Sequence, residues 1–190
     1  QPPRAMQEQP GIEELAAHYV RQIRTLQPAA PYHLCGYSAG GVIAYEMAQQ
    51  LHSLGEPTRS LLLLGAPFNR PLLGRHIHAW LFRFLPRVLP KKRSARFGWL
   101  RILQALFADQ GLIIHLNCVL GYQPRPYSGK VTVFEGSYAS TRLSGWERKW
   151  QGLCTGGLAV HYLPGNHDSF IRSPHNANLA RELEQAIDTP

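Results

Sequence analysis

The chain has 190 residues, of which 44% are hydrophobic, and its formal net charge at pH 7 is +8. This length and apolar content suit one domain with a buried core and are too small for two ordinary domains. The positive charge is confined, because ten Lys and Arg side chains and no Asp or Glu lie between Arg59 and Ala108. The remainder is close to neutral, which disfavours a nucleic-acid binder with a uniformly basic surface.

Three further features narrow the class of protein. Charged residues, Gly or Pro interrupt every apolar run before it reaches the length of a transmembrane helix. Residues 1–10 lack the apolar core of a signal peptide, and Cys35, Cys118 and Cys154 are too widely spaced to indicate a disulfide framework or a metal site. We therefore expect a reducing, cytoplasmic setting. Because the sequence starts with Gln rather than Met, we also expect a fragment of a longer chain.

Hydrophobic periodicity and turn residues predict an alternation of helices and strands. In chain order, the predicted elements are a helix over 12–26, a buried strand over 32–36, a helix that opens at Gly40 and Gly41 and ends at Gly55, strands over 60–64, 130–135 and 158–163, and a helix that begins at Ser173 and Pro174. Four consecutive leucines, 61–64, are typical of a strand that is covered on both faces. The alternation indicates an α/β fold with a mostly parallel sheet.

Residues 36–40, Gly-Tyr-Ser-Ala-Gly, match the pattern Gly-x-Ser-x-Gly where the first predicted strand turns into a helix. This is the position of a nucleophile elbow, in which a sharp turn exposes the serine hydroxyl and glycines let strand and helix approach closely. The N–H of Ala39, at the positive end of the helix dipole, can donate a hydrogen bond to an oxyanion. The motif therefore predicts Ser38 as a nucleophile.

A serine nucleophile needs a general base, and the chain has nine histidines. His167 directly follows the last predicted strand, so we expect it at the same sheet edge as Ser38. It also lies after Ser38 in the chain, as in α/β-hydrolases. We therefore predict His167 as the base. We expect packing or surface roles for His52, His76, His78, His115, His161 and His175.

Four stretches of the chain resemble the thioesterase domain that ends nonribosomal peptide synthetases and polyketide synthases, a member of the α/β-hydrolase superfamily. They are residues 32–54, 60–67, 122–134 and 163–183. Only the basic segment, residues 68–108, is poorly matched. The resemblance implies that residues 1–190 form a single α/β-hydrolase domain. It also implies an inserted helical lid over residues 68–108.

The resemblance further implies that the chain releases an acyl or peptidyl group from the phosphopantetheine arm of a carrier domain. Ser38 would form the acyl-ester, His167 would act as general base and acid, and the Ala39 N–H would be one oxyanion donor. Water or an internal nucleophile would resolve the ester. A carrier domain is then the expected partner, and no cofactor of the enzyme's own, metal ion, nucleic acid or membrane is implied.

The sequence departs from the family at the catalytic acid. Many members carry Asp where this chain has Gly65, and residues 136–140, where related stand-alone enzymes place the acid, also lack a carboxylate. Glu135 is the nearest candidate, whereas Asp168 adjoins the histidine and is expected to point elsewhere. Loss of an orienting acid costs on the order of 10⁴ in rate in a serine protease. The chain is then a slow enzyme, an enzyme that uses Glu135, or a degenerate copy.

A second departure lies upstream. The family begins with several strands, and a loop after an early one supplies the other oxyanion N–H, whereas this sequence starts just before the helix that leads into the nucleophile strand. We therefore expect an unprotected sheet edge and an incomplete oxyanion hole.

The basic segment, residues 68–108, has three interpretations. In the first, its aromatic side chains line an acyl channel while its cations face an acidic carrier domain. In the second, the segment touches an anionic membrane, as in a lipase-like esterase. In the third, it is a solvated helical face. Two rivals to a thioesterase follow from the departures and from this segment. One is an inactive module that docks a carrier domain, and the other is a membrane-surface ester hydrolase.

Overall fold

The computed structural model describes residues 11–66, 122–137 and 146–188. In chain order its elements are α1 (Ile12–Leu26), β1 (Tyr32–Tyr37), α2 (Ala39–Ser53), β2 (Thr58–Leu64), β3 (Val131–Gly136), α3 (Trp146–Leu153), β4 (Leu158–Leu163) and α4 (Asn176–Asp188). The predicted lid over 68–108 and Cys118 lie outside the described residues, and so do His76, His78 and His115.

The four described strands form one parallel sheet in the order β1-β2-β3-β4. The predicted α/β fold with a parallel sheet is therefore confirmed. Because successive strands are neighbours and right-handed crossovers run in one direction, α2 and α3 lie on the same face, where α1 packs as well. Helix α4 covers the opposite face. All four strands end at one edge of the sheet, and the loops that follow them meet there.

The leucine run in β2 joins the two faces of the core. Leu61 and Leu63 pack into the cluster under α1, α2 and α3, which also holds the fully buried Trp150. Leu62 and Leu64 pack into the cluster under α4. Each buried leucine contributes roughly 1.5–3 kcal/mol of transfer free energy, which fixes β2 as a central strand.

Strand β1 is less buried than predicted. Tyr32 and Leu34 point into the core, but the alternate side chains His33 and Cys35 are exposed. The reason is that the described helix on that face, α4, packs over β2 and the strands beyond it. Among the strands that the structure describes, β1 pairs only with β2, and it therefore forms the edge of the described sheet.

The observed bounds of α1 and the C-terminal end of α2 agree with those predicted from the sequence. Helix α1 spans the predicted residues, and the left-handed residue after α2 is Gly55, with φ +75°. The N–H of Glu56 donates to the Leu51 carbonyl at 2.9 Å, and the N–H of Gly55 to the His52 carbonyl at 3.0 Å. This pattern satisfies the last carbonyls of the helix, as expected where glycine follows a C-cap.

The predicted start of the last helix is wrong. The N–H groups of His175 and Asn176 both donate to the carbonyl of Arg172, at 2.8 and 3.0 Å, and close a turn around Ser173 and Pro174. Helix α4 begins only at Asn176. A serine followed by proline therefore marks a turn here, and His175 precedes the helix instead of lying in its first turn.

Helix α3 was not predicted. It has 8 residues, which is too short for an apolar face to repeat along the sequence. Tertiary contact holds it in place, since Trp150 is fully buried and the Leu153 carbonyl accepts a hydrogen bond from the Tyr45 hydroxyl at 2.9 Å. Among the described helices, none combines the length and apolar character that crossing a bilayer requires.

Candidate active site

Ser38 occupies the turn between β1 and α2. Its backbone, at φ 52° and ψ −123°, gives it the one positive φ among the described residues that are not glycine. The turn is held on both sides, because the Ser38 N–H donates to the Leu64 carbonyl at 2.8 Å and the Gly41 N–H donates to the Ser38 carbonyl at 2.9 Å. Such strain persists only where surrounding contacts enforce it, and it is common in catalytic turns. The geometry is that of a nucleophile elbow.

Two of the three glycines around Ser38 are needed for close packing. A Cβ on Gly36 would collide with the backbone of Gly40, and a Cβ on Gly41 would lie 2.8 Å from the Ala66 Cβ. By contrast, a Cβ on Gly40 would meet no atom within 4 Å. The expectation that glycines let β1 approach α2 thus holds for Gly36 and Gly41, whereas Gly40 has room for a side chain.

The structure brings the two predicted residues together. His167, in the loop after β4, places its Nε2 atom 3.3 Å from the Ser38 Oγ. The residues are 129 positions apart in the chain, so the parallel sheet creates this contact. With Nδ1 protonated, Nε2 can accept the serine proton, which is the arrangement a nucleophile and its base require.

Local hydrogen bonds fix the loop that carries the histidine. The side-chain oxygen of Asn166 accepts from the N–H groups of Asp168 and Ser169, at 3.0 and 2.9 Å. The Ser169 hydroxyl accepts from the Asn166 N–H at 2.8 Å, and Gly165 is left-handed with φ +117°. Sequence reasoning missed these supporting residues, although Asn-x-x-Ser after a glycine is a turn signal that could have identified them.

Tyr37, the residue before the serine, contacts the histidine directly. Its ring stacks on the His167 imidazole, with centroids 5.1 Å apart and planes 27° apart. Its hydroxyl donates to the His167 carbonyl at 3.0 Å and lies 3.4 Å from Asp168 Oδ1. Burial and the Asp168 charge raise the pKa of Tyr37, so the hydroxyl stays a donor at neutral pH. Sequence reasoning treated Tyr37 only as a spacer in the motif.

Gly65 lies beside the other ring nitrogen of His167. Its backbone is left-handed, with φ +59°, and a Cβ added to it would be 2.7 Å from Nδ1 and 2.8 Å from Cε1. The Gly65 N–H donates to the Phe134 carbonyl at 2.8 Å, which ties this turn to β3. Residue 65, where the resemblance implies an acid in many members of the family, is therefore next to the histidine in space, and in this chain it is glycine.

The nearest alternative carboxylates have other hydrogen-bond partners. Glu135 is 4% exposed, and its Oε1 accepts from the Gly136 N–H at 3.3 Å. Burial raises the pKa of Glu135, while the Gly136 N–H and the charge of His167 act in the opposite direction. Asp168 faces Tyr37. Within the part of the chain that the structure describes, no carboxylate oxygen is hydrogen-bonded to His167 Nδ1.

Ala39 is the first residue of α2 and directly follows the serine. N–H groups in the first turn of a helix have no carbonyl partner within that helix, and they carry its positive dipole end. The Ala39 N–H is thus available beside the Ser38 hydroxyl. Its role as an oxyanion donor stays a prediction.

Two other histidines in the described ranges have partners of their own. His161 Nδ1 lies 2.8 Å from Glu182 Oε2 on α4, and His52 Nε2 lies 3.1 Å from the Ser128 Oγ. Across residues 11–66, 122–137 and 146–188, no group of three or more His, Cys, Asp or Glu side chains could hold a metal ion.

Comparison with known proteins gives a family for this arrangement. Residues 1–187 match the family model described as Thioesterase domain. The chain is 49% identical over 206 residues to the non-reducing polyketide synthase terA of Aspergillus terreus, covering 93% of this chain and 10% of that protein. It is 47% identical over 200 residues to the non-reducing polyketide synthase Preu8 of Preussia isomera, covering 93% and 9%.

Solved structures agree with the fold. The crystal structure of the NocB thioesterase domain from the Nocardicin cluster aligns with a TM-score of 0.68 at 24% identity, covering 98% of this chain and 78% of that one. The same domain has been solved as a covalent complex with a fluorophosphonate nocardicin G analog. The chain spans between 2% and 22% of the length of the curated relatives it matches.

Proposed function

Since this chain belongs to the thioesterase-domain family, we propose that it releases an acyl or peptidyl group from a thioester on the phosphopantetheine arm of a carrier domain. The observation that carries the proposal is the 3.3 Å separation of Ser38 Oγ and His167 Nε2 at a strained elbow. The identity of nearly half of the residues to two polyketide synthases supports a carrier-bound substrate. The carrier domain is the proposed partner, and the phosphopantetheine belongs to it. We propose no cofactor of the enzyme's own.

The first half of the proposed reaction forms an ester on the serine. Ser38 Oγ attacks the thioester carbonyl carbon while His167 Nε2 takes the hydroxyl proton. The Ala39 N–H donates to the oxyanion of the tetrahedral intermediate. The carbon–sulfur bond then breaks, His167 returns its proton to the departing sulfur, and the acyl group remains on Ser38.

The second half frees the product. Water, or a hydroxyl or amine of the substrate itself, loses a proton to His167 Nε2 and attacks the ester carbonyl. The ester bond breaks, the proton passes to Ser38 Oγ, and a free acid or a cyclic product leaves. The serine and the histidine end in their starting states, so the cycle needs no oxidant, reductant or metal.

One observation favours a second candidate function. Glycine stands at position 65, beside His167 Nδ1, where the resemblance implies an acid. The second candidate is therefore an inactive domain that keeps the fold and docks a carrier domain without catalysing release. Loss of a triad acid costs on the order of 10⁴ in rate, so this candidate predicts a chain that binds a carrier and scarcely reacts.

A fluorophosphonate probe separates the two candidates. We expect it to phosphonylate Ser38 in the wild-type chain, with mass spectrometry locating the adduct on the peptide that contains residues 36–40. Ser38→Ala is the matched control and should take up none. Circular dichroism confirms that both chains are folded. If folded wild-type chain takes up no more probe than Ser38→Ala, the hydrolase proposal fails and the docking module is favoured.

A further inference from the structure

The His167 imidazole has two rotatable side-chain bonds and no hydrogen bond to a carboxylate within the described residues. A triad acid normally fixes both the tautomer and the direction of this ring. The proposed reaction nevertheless needs Nε2 to stay aimed at Ser38 Oγ, since a 1 Å displacement can cost about 10² in rate. Among the described residues, a group other than a carboxylate must therefore restrict the ring.

Two contacts confine the ring. On one face, the Tyr37 ring stacks against it at a centroid distance of 5.1 Å. At its Nδ1–Cε1 side, the α-carbon of Gly65 is so close that an added Cβ would lie 2.7 Å from Nδ1. The stack therefore restricts rotation of the ring toward Tyr37, and Gly65 leaves little free space at the Nδ1–Cε1 edge.

The Tyr37 hydroxyl also holds the histidine's backbone. It donates to the His167 carbonyl at 3.0 Å, and Asp168 Oδ1 lies 3.4 Å away as a second acceptor. Tyr37 is the last residue of β1 and the covalent neighbour of Ser38. One residue thus fixes the distance between the loop with the base and the turn with the nucleophile.

The stack also suits the charge that develops in the reaction. An aromatic face attracts a cation within about 6 Å of its centroid, and the imidazole becomes a cation when it takes the serine proton. The phenol ring therefore faces the positive charge that the imidazole carries during proton transfer, and stabilising that charge is the second task of a triad carboxylate.

We propose that Tyr37 is the positioning residue of this site, and that it does by stacking and by hydrogen bonding what a carboxylate does in a complete triad. This inference rests on the proposed hydrolase function. It assigns a task to the second residue of the Gly-x-Ser-x-Gly motif in a chain that has glycine at position 65.

Three variants test the assignment. Tyr37→Phe keeps the stack and loses the hydroxyl, so we expect kcat on a small acyl-thioester to fall about 2- to 10-fold, the effect of one hydrogen bond. Tyr37→Leu loses the stack and the hydroxyl, so kcat should fall about 10²-fold while KM stays within about 2-fold of the wild-type value. Tyr19→Leu removes a half-exposed tyrosine on α1 and should leave both constants unchanged.

A structural readout keeps this claim separate from the proposed function. In crystals of Tyr37→Leu, Nε2 of His167 should lie farther from Ser38 Oγ than in wild type, or the ring should occupy two positions; Tyr37→Phe should keep it in place. If the ring is unmoved in Tyr37→Leu, the positioning claim is wrong. If wild-type chain neither labels nor turns over thioester, the proposed function fails instead, and the ring position still decides the role of Tyr37. Equal kcat values in Tyr37→Leu and wild type would also overturn the positioning claim.

Discussion

Gly65 and Nδ1 of His167 are so close that a Cβ added to the glycine would lie 2.7 Å from the nitrogen. In a complete triad this nitrogen donates to a carboxylate that fixes the tautomer of the ring. In this chain the same position in the fold carries a residue with no side chain. The sequence resemblance implies an acid at this position, so substitutions at residue 65 test how the site works.

Gly65→Asp and Gly65→Asn are matched in size and differ in charge. Both must move the ring slightly, and both residue types tolerate a left-handed backbone better than most others. Either side-chain oxygen can accept a hydrogen bond from the Nδ1–H, but only the aspartate carries the negative charge that stabilises the imidazolium. We expect kcat for an acyl-thioester to be at least about 10-fold higher in Gly65→Asp than in Gly65→Asn. Equal kcat values would show that a carboxylate at this position does not reach the ring.

Gly36→Ala and Gly40→Ala separate close packing from motif identity. An alanine Cβ at residue 36 would collide with the Gly40 backbone, whereas one at residue 40 would meet nothing within 4 Å. We expect Gly36→Ala to lose about 2 kcal/mol or more of unfolding free energy in urea. Gly40→Ala should keep wild-type stability or gain up to about 1 kcal/mol, since alanine favours a helix. The reverse order of stability would contradict the elbow geometry.

Glu135→Gln should change the pH dependence of stability. Burial raises the pKa of Glu135 in the folded chain above its unfolded value, so the folded state binds that proton more tightly. The wild-type chain therefore loses unfolding free energy as the pH rises from the ordinary carboxyl pKa through the folded-state pKa. The glutamine variant does not titrate and keeps the bond from the Gly136 N–H.

Urea unfolding of both chains at two pH values gives the measurement. At about pH 8 Glu135→Gln should be more stable than wild type, and at about pH 3.5, where both side chains are neutral, the difference should vanish. An equal difference in unfolding free energy at both pH values would mean that the effect is one of packing.

The same variant also tests whether Glu135 acts in catalysis. A loss of kcat near 10⁴-fold in Glu135→Gln would identify Glu135 as the triad acid.

Tyr122→Phe tests a buried carboxylate on α2. The Tyr122 hydroxyl donates to Glu46 Oε2 at 2.6 Å, and Glu46 is 3% exposed. The other carboxylate oxygen, Glu46 Oε1, accepts from Gln50 Nε2 at 2.9 Å and lies 3.8 Å from an Arg125 guanidinium nitrogen. The phenylalanine variant loses the charge-assisted bond to Glu46 and the bond that Gln49 Nε2 donates to the Tyr122 hydroxyl at 3.2 Å, so the unfolding free energy in urea should fall by at least about 1.5–3 kcal/mol. Tyr19→Phe, on the surface of α1, is the control, and a loss no larger than that of the control would count against this network.

The sequence was sufficient to pair Ser38 with His167. Parallel strands carry their carboxyl ends to one edge of the sheet, so a serine after the first strand and a histidine after the last were expected at the same edge. The loop after β4 then brings His167 to Ser38 across the strands between them. The leucine run of β2 likewise predicted a strand between two cores, because neighbouring leucines in a strand face opposite sides.

The role of Tyr37 could not be read from the sequence. Its contact with His167 depends on the path of a loop that Asn166 and Ser169 fold by local hydrogen bonds. Neither the register of β1 against that loop nor the ring orientation has a signal in residue spacing. Helix α3 was missed for a related reason, since the burial of Trp150 holds it, and tertiary contact of that kind leaves no periodic pattern in 8 residues.

The central claim is that Ser38 carries the acyl group between its two transfers. The most direct measurement is to mix the chain with a small acyl-thioester, quench it with acid during turnover, and locate the added acyl mass by peptide mass spectrometry. We predict the acyl group on Ser38 in wild type, none in Ser38→Ala, and acylation about 10²–10⁴-fold slower in His167→Gln, which lacks the base. Thioester turnover at the wild-type rate in Ser38→Ala, or acyl mass on another residue, would contradict the account.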